Sequence, residues 1–374
     1  MKKRLLFITQ DLARTGSEMV LWYLLNNLNK DQYSIYVLCM KKGELFDLLP
    51  DHIEKEVFYR SSSKWYKKVF RGILKALGRN PVATQVDRIM CHFKADIWYI
   101  NTVVIPDVFE ISRNYPVKVV THIHELPGAF ALIKGAALQS VFSYSDVCIG
   151  CSEIVCEKIA DFGHQDIRLQ NSFIDVATIQ VNTKRVAEIK KELGILPGDF
   201  AWVISGGASY MKGIDQVLPI LEYFKEEPIK IIWIGKQPDN GLDFYVQHVA
   251  ELKYPGKLHF TGSLSEDYYN YMSVANGVLL LSREESFSLV VLEAAYLGIP
   301  IVSFNIGIVP QFLQEGMGVV VDSGNLTGIL AGMRQVYEHP EHDLEKLRNS
   351  ALKYDVQQQL PKFETLLHEV AEKN

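Results

Sequence analysis

Cysteine is scarce in this 374-residue chain: Cys39, Cys91, Cys148, Cys151 and Cys156 are the five. An odd, scattered set gives no disulfide framework. Cys148 and Cys151 form a lone CxxC. No second pair or His cluster completes a metal site, so they read as small filler at the end of a buried strand. No apolar run reaches the ~20 residues that a membrane-spanning helix needs. The basic start, Met1-Lys2-Lys3-Arg4, leads into only a few apolar residues before Thr9-Gln10-Asp11. With no small-residue cleavage site after it, this is expected to be a first β-strand and not a secretory leader. Net charge is −5, which disfavours nucleic acid as a partner. A GxxxxGK[ST] loop, a strand-anchored GxGxxG, an Asp-x-Asp clip and a GxSxG elbow are all absent. P-loop, Rossmann-cofactor, metal-clip and serine-hydrolase chemistry lose support accordingly.

At 48% hydrophobic and 22% charged, the composition is that of a globular protein, and the length predicts two or three domains. Short apolar runs alternate with helix-like segments: 4–9, 33–39, 97–100, 117–122, 147–150, 202–205, 231–234, 277–281 and 300–304. Continuous apolar strands separated by helices indicate parallel sheets covered on both faces. The run count favours two doubly wound α/β domains. A polar stretch, Asn182–Glu192, sits in the expected linker region. The domains are therefore placed at 1–175 and 176–355, with a C-terminal helix over 356–374 expected to return to the first. Between Val57 and Val86 there is no Asp or Glu, while Lys64, Lys67, Lys68, Arg71, Lys75 and Arg79 are basic. Trp65, Val69, Ile73 and Leu77 recur every four residues beside them. Residues 64–79 thus read as a basic amphipathic helix suited to an anionic membrane surface.

The richest segment runs from Ser282 to Pro300. A strand feeds a short loop, then a helix expected to start near Ser286 and stop at Gly298-Ile299-Pro300. The backbone N–H groups of Phe287, Ser288 and Leu289 would sit at its N-terminus, a ready site for a diphosphate. Glu285 lies at the helix mouth. Glu293, eight residues on, could accept two hydrogen bonds from a vicinal diol such as a ribose.

This segment resembles the Glu-x7-Glu motif of the retaining family 4 glycosyltransferases, which have the two-domain GT-B fold. The resemblance implies that Glu285 contacts the transferred sugar and Glu293 the nucleotide ribose. Other segments fall in the same order. Arg14-Thr15-Gly16-Ser17-Glu18 resembles the loop that approaches the donor phosphates, with Gly16 alone where two glycines are common. Thr121–Gly128 resembles the active-site His segment, with His124 best aligned and Glu125 beside it. Ser205–Asp215 resembles a phosphate loop that usually holds an Arg and a Lys; Lys212 is present, and Gly207 or a neighbour replaces the Arg. The likeness is strongest over 202–330.

The implied reaction moves a sugar from a nucleotide diphosphate sugar to an acceptor hydroxyl in an interdomain cleft, with retention. It would need no metal and no cofactor. Fixed donors aimed at the leaving diphosphate are the main aid: Lys212, the Phe287–Leu289 amides and the Gly16 loop. His124 and Glu285 would be the catalytic pair. A lipid-linked or surface polysaccharide acceptor, handled in the cytoplasm at the inner face of the membrane, fits the basic helix. Two rivals remain open: a sugar-nucleotide epimerase, and a non-catalytic GT-B partner that binds sugar nucleotide.

Overall fold

The computed structural model describes residues 2–58, 69, 72, 80–131, 133–237 and 241–372. The chain divides into two compact units, Met1–Phe173 with Val356–Asn374, and Ile174–Asp355. The segment 64–79, read as a membrane-facing helix, lies outside the described residues apart from Val69 and Gly72. Among the described residues no helix is long and apolar enough to cross a membrane.

The first unit is built on a seven-stranded parallel sheet. Its strands are β1 (Lys3–Thr9), β2 (Tyr33–Cys39), β3 (Glu54–Val57), β4 (Ile97–Ile100), β5 (Lys118–Ile123), β6 (Val147–Gly150) and β7 (Ile167–Leu169). Their spatial order is β3-β2-β1-β4-β5-β6-β7. In β1, Leu5 pairs with Ile35 on one side and Ile97 on the other. Helices cross between strands, and their starts follow local capping rules: Asn80 accepts from the Val82 amide at 2.9 Å ahead of the helix Pro81–Phe93. The helix Val356–Glu372 belongs to this unit. Phe363 meets Tyr99 edge-on at 5.5 Å, and Gln359 hydrogen-bonds Gln170 at 3.3 Å.

The second unit carries six parallel strands: β8 (Phe200–Ser205), β9 (Ile229–Ile234), β10 (Leu258–Gly262), β11 (Gly277–Leu280), β12 (Ile301–Phe304) and β13 (Gly318–Val321). The order is β10-β9-β8-β11-β12-β13. Trp202, Trp233, Phe224 and Phe304 are fully buried in its core. Both units are parallel, doubly wound α/β domains, the architecture of GT-B proteins.

All nine expected strands are present, with ends shifted by a residue or two. Four more exist, and β3, β7, β10 and β13 are the edges of the two sheets. Their residues are mostly half-buried, in contrast to the fully buried β4, β6, β11 and β12. An edge strand keeps polar residues on its open side, so it does not read as an apolar run.

Candidate active site

In a parallel sheet, loops that follow the C-terminal ends of the strands gather polar groups at one rim. In the second unit the loops after β8, β11 and β12 do so. After β8, Ser209 caps the short turn Tyr210–Lys212. Gly213 then adopts φ +80°, and a Cβ there would run into the Leu281 carbonyl at the end of β11. Only glycine lets the chain turn this close to β11, and the turn brings Lys212 beside the next loop. The Lys212 ammonium pairs with Glu285, whose Oε1 also accepts from Ser282 Oγ at 2.7 Å. The Glu285 side chain is only 11% exposed, and that of Lys212 33%.

Arg283 fastens the same two loops. Its guanidinium donates to both oxygens of Asp215, at 2.9 and 2.7 Å, and lies 3.7 Å over the Tyr210 ring. Its backbone N–H donates to the Met211 carbonyl at 2.8 Å. With Gly207 or a neighbour where the resemblance expects an Arg, and Arg283 engaged in this way, Lys212 is the ammonium held beside Glu285.

The helix expected from Ser286 begins later, and spans Leu289–Tyr296. Ser288 stands at φ +91°, outside the helical region, and this postpones the start. The Ile308 amide bonds the Phe287 carbonyl at 3.1 Å and holds the loop away from the helix axis. Gly307, at φ +54°, allows that crossing, because a Cβ would strike the Phe287 carbonyl. Glu285 therefore lies four residues ahead of the helix, and its angular relation to Glu293 is not set by helical pitch. Phe287 is a buried loop residue, Ser288 is the N-cap and Leu289 opens the helix. The N–H groups of these three residues have no hydrogen-bond acceptor among the described residues.

Glu293 is buried within that helix, 6% exposed. Tyr268 and Tyr269 donate to its two oxygens at 2.9 and 3.2 Å. Burial raises its carboxyl to about 6, with the two phenols pulling the other way.

In the first unit, Gly16 opens the helix Gly16–Asn27. It is exposed, and a Cβ there would touch nothing, so the helix start is open to solvent. Next to it, Glu18 is buried and its carboxyl raised by that burial, while Thr15 and Ser17 hydroxyls donate to it. His124 follows β5. The Asn101 amide nitrogen donates to the Ser17 carbonyl at 3.3 Å, so Asn101 Oδ1 faces His124 Nε2 at 3.2 Å. An amide oxygen can only accept, which places the His124 proton on Nε2 and leaves Nδ1 as an acceptor. Burial pushes His124 down to about 3, so the ring is neutral at physiological pH. Glu125 accepts from the Thr102 hydroxyl, the Val103 amide at 3.2 Å and the His124 amide at 3.0 Å. It ties the loop after β4 to the end of β5.

Lys212 and Glu285 therefore meet directly, and Glu293 lies further along the same loop and helix. Gly16 and His124 share the strand-end rim of the first unit, linked through Ser17 and Asn101. Residues that sequence reasoning missed are Arg283 with Asp215, Ser282, and Tyr268 with Tyr269. Two adjacent tyrosines on a short helix were the available signal. None of the five cysteines is in a disulfide, and burial raises Cys148 to about 12, as befits strand-end filler. Among the described residues no group of three or more His, Cys, Asp or Glu side chains is placed to hold a metal ion.

Residues 186–354 match the family described as Glycosyl transferases group 1. Over 169 residues the chain is 28% identical to N-acetyl-alpha-D-glucosaminyl L-malate synthase of Bacillus anthracis, covering 44% of this chain and 43% of that protein. The match thus spans less than half of that relative. A longer match, 24% identical over 343 residues, covers 86% of this chain and 88% of O-antigen chain mannosyltransferase C of Escherichia coli. Among solved structures, Anabaena HepE in complex with UDP and glucose aligns with TM-score 0.81 at 18% identity, over 98% of this chain and 100% of that one. The likeness to HepE concerns the fold. The matched residues 186–354 lie within the second unit.

Proposed function

We propose that this chain is a glycosyltransferase that moves a sugar, with retention and without a metal, from a nucleotide diphosphate sugar to an acceptor hydroxyl. The observation that carries the reading is the Lys212–Glu285 pair beside the unpartnered amides of Phe287, Ser288 and Leu289. An ammonium and free amides supply positive potential for a diphosphate whose charge grows as the glycosidic bond breaks. Glu285, next to that ammonium, is assigned to the hydroxyls of the transferred sugar. Glu293 is assigned to the ribose diol. His124 is neutral, so it serves as a hydrogen-bond acceptor through Nδ1 and not as an acid. Glu285 is held by Lys212 and Ser282 and assigned to the sugar hydroxyls, and Glu293 is assigned to the ribose, so neither is assigned as a covalent nucleophile, which favours front-side substitution over double displacement. The mannosyl and glucosaminyl transfers named for the relatives, and the UDP and glucose bound by HepE, support a hexose donor. An acceptor in surface-polysaccharide or lipid-linked glycan synthesis, met at the inner membrane face through 64–79, completes the proposal.

Calorimetry of the full chain against UDP-, GDP- and ADP-hexoses, followed by product analysis with a glycan acceptor, tests it. Binding of one donor and a product of unchanged anomeric configuration is expected. Epimerised donor without acceptor would convert the reading to an epimerase. Binding with no turnover would make the chain a partner protein, and inverted product would overturn retention.

A further inference from the structure

Both oxygens of Glu293 are engaged from one short helix, Tyr268–Met272: Tyr268 donates to Oε2 at 2.9 Å and Tyr269 to Oε1 at 3.2 Å. The Tyr268 oxygen also lies 2.9 Å from Ser205 Oγ. A phenol has one proton, and here it goes to the carboxylate. The remaining contact must then run from the Ser205 hydroxyl to the Tyr268 oxygen. A directed chain, Ser205 to Tyr268 to Glu293, joins the end of β8 to the helix Leu289–Tyr296. Successive hydrogen bonds of one sense polarise each other. An ionised carboxylate has about four acceptor positions. Two are taken by the phenols and two remain, enough for a vicinal diol.

We infer that Tyr268 and Tyr269 are positioning residues, which keep Glu293 ionised and oriented to accept a nucleotide's ribose diol, with Ser205 aligning Tyr268. The inference rests on the nucleotide-sugar reading and deepens it by naming what readies the diol acceptor. Burial alone drives Glu293 toward its neutral form, and the phenols oppose this. A protonated carboxyl loses acceptor capacity, so donor binding should fail on the acid side. Other charges do not decide this balance. The strand β12 has no ionisable side chain. The helix Leu344–Leu352, packed on the Glu293 helix, carries Glu345, Lys346 and Arg348. Lys346 is held by the Glu315 carbonyl at 2.9 Å and Arg348 by the Tyr296 carbonyl at 3.0 Å. Tyr268 and Tyr269 are the titratable groups that act on Glu293.

The test joins carbon-13 NMR titration of the Glu293 carboxyl with calorimetry of UDP, GDP and ADP across neutral pH, on the full chain. In the wild type the carboxyl should titrate at about 6. In a Tyr268→Phe, Tyr269→Phe double variant it should rise by about one unit or more, with nucleotide affinity about twofold weaker or more at pH 7, approaching about tenfold weaker on the acid side and recovering in alkali. Ser205→Ala should shift it the same way by less, and Glu293→Gln should remove the acid limb. An unchanged titration in the double variant overturns the inference, as does an affinity loss equal at every pH, the mark of packing alone. Should the wild type bind no nucleotide, the donor reading falls, while the titration still decides whether the tyrosines hold the charge.

Discussion

Glu125, past β5, and Glu285, past β11, are carboxylates on strand-end loops of two similar parallel sheets, yet their partners differ in kind. Glu125 collects a hydroxyl and two backbone amides. Glu285 faces the flexible end of a lysine and one serine hydroxyl. Backbone amides are fixed by the fold, so Glu125 fastens a loop and has little capacity left for a ligand. A lysine head can swing away at small cost, so the Glu285 pair can open to admit a charged molecule. His124 extends the contrast: it is neutral, whereas the rim of the second unit keeps an ammonium. The shared topology supplies a rim, and the partner type decides whether a charge there braces the fold or, on the function proposed above, serves a substrate.

The contrast breaks if the two carboxylates respond alike to substitution. Lys212→Ala and Glu285→Gln should each lower transfer by about 10²–10³-fold, the usual loss of one preorganised electrostatic contact, with thermal unfolding close to wild type. Steady-state rates with the matched donor check this; full activity in both variants refutes the assignment. Next in size, Glu125→Ala should lose about 1–3 kcal/mol of stability, because buried donors are left without an acceptor. Urea denaturation reads it, and an unchanged midpoint would mean that Glu125 fastens nothing.

How much of this was visible in the sequence follows the same division. The nine interior strands were readable because burial on both faces forces unbroken apolar runs, as in Ile97–Ile100 and Ile301–Phe304. The four edges were not, since Glu54–Val57 runs through three charged residues before its valine and Ile167–Leu169 sets an arginine between apolar residues. In the site, Glu285 and Glu293 stood out because their motif is local. Arg283 with Asp215 is a pair 68 residues apart, and Tyr268 reaches Glu293 across 25. Such contacts exist only once β8 and β11 are neighbours. The helix start was misplaced because no composition rule foresees a serine at φ +91°.

A finer test concerns the charge of Glu293. Its carboxyl is raised from 4.5 to about 6 by burial. The native state therefore holds this proton more tightly than the unfolded chain. The stabilising contribution is full below about 4.5 and is lost as pH rises through about 6, a change of about 2 kcal/mol. Glu293→Gln cannot ionise, so its stability relative to wild type should improve by roughly that amount between mildly acid and neutral solution. Parallel curves for the two proteins across that range would show that Glu293 is not held in a charge-averse site.

The smallest effect should come from Ser288. A non-glycine residue at φ +91° carries strain of about 1–3 kcal/mol. Glycine reaches positive φ without the Cβ clash but has more freedom to lose on folding. Ser288→Gly should therefore gain only about 1 kcal/mol, seen as a higher urea midpoint at unchanged slope. The strain is held in place by two contacts, the Ile308 amide on the Phe287 carbonyl and the close passage of Gly307. Both fix where the amides of Ser288 and Leu289 point. If those amides meet the diphosphate, Ser288→Gly should be more stable yet bind nucleotide no better, because a looser loop must be ordered again on binding. A variant neither stabilised nor altered in affinity would mean that the Ser288 conformation stores nothing, and that the rim of the second unit is no more strained than the braced rim of the first.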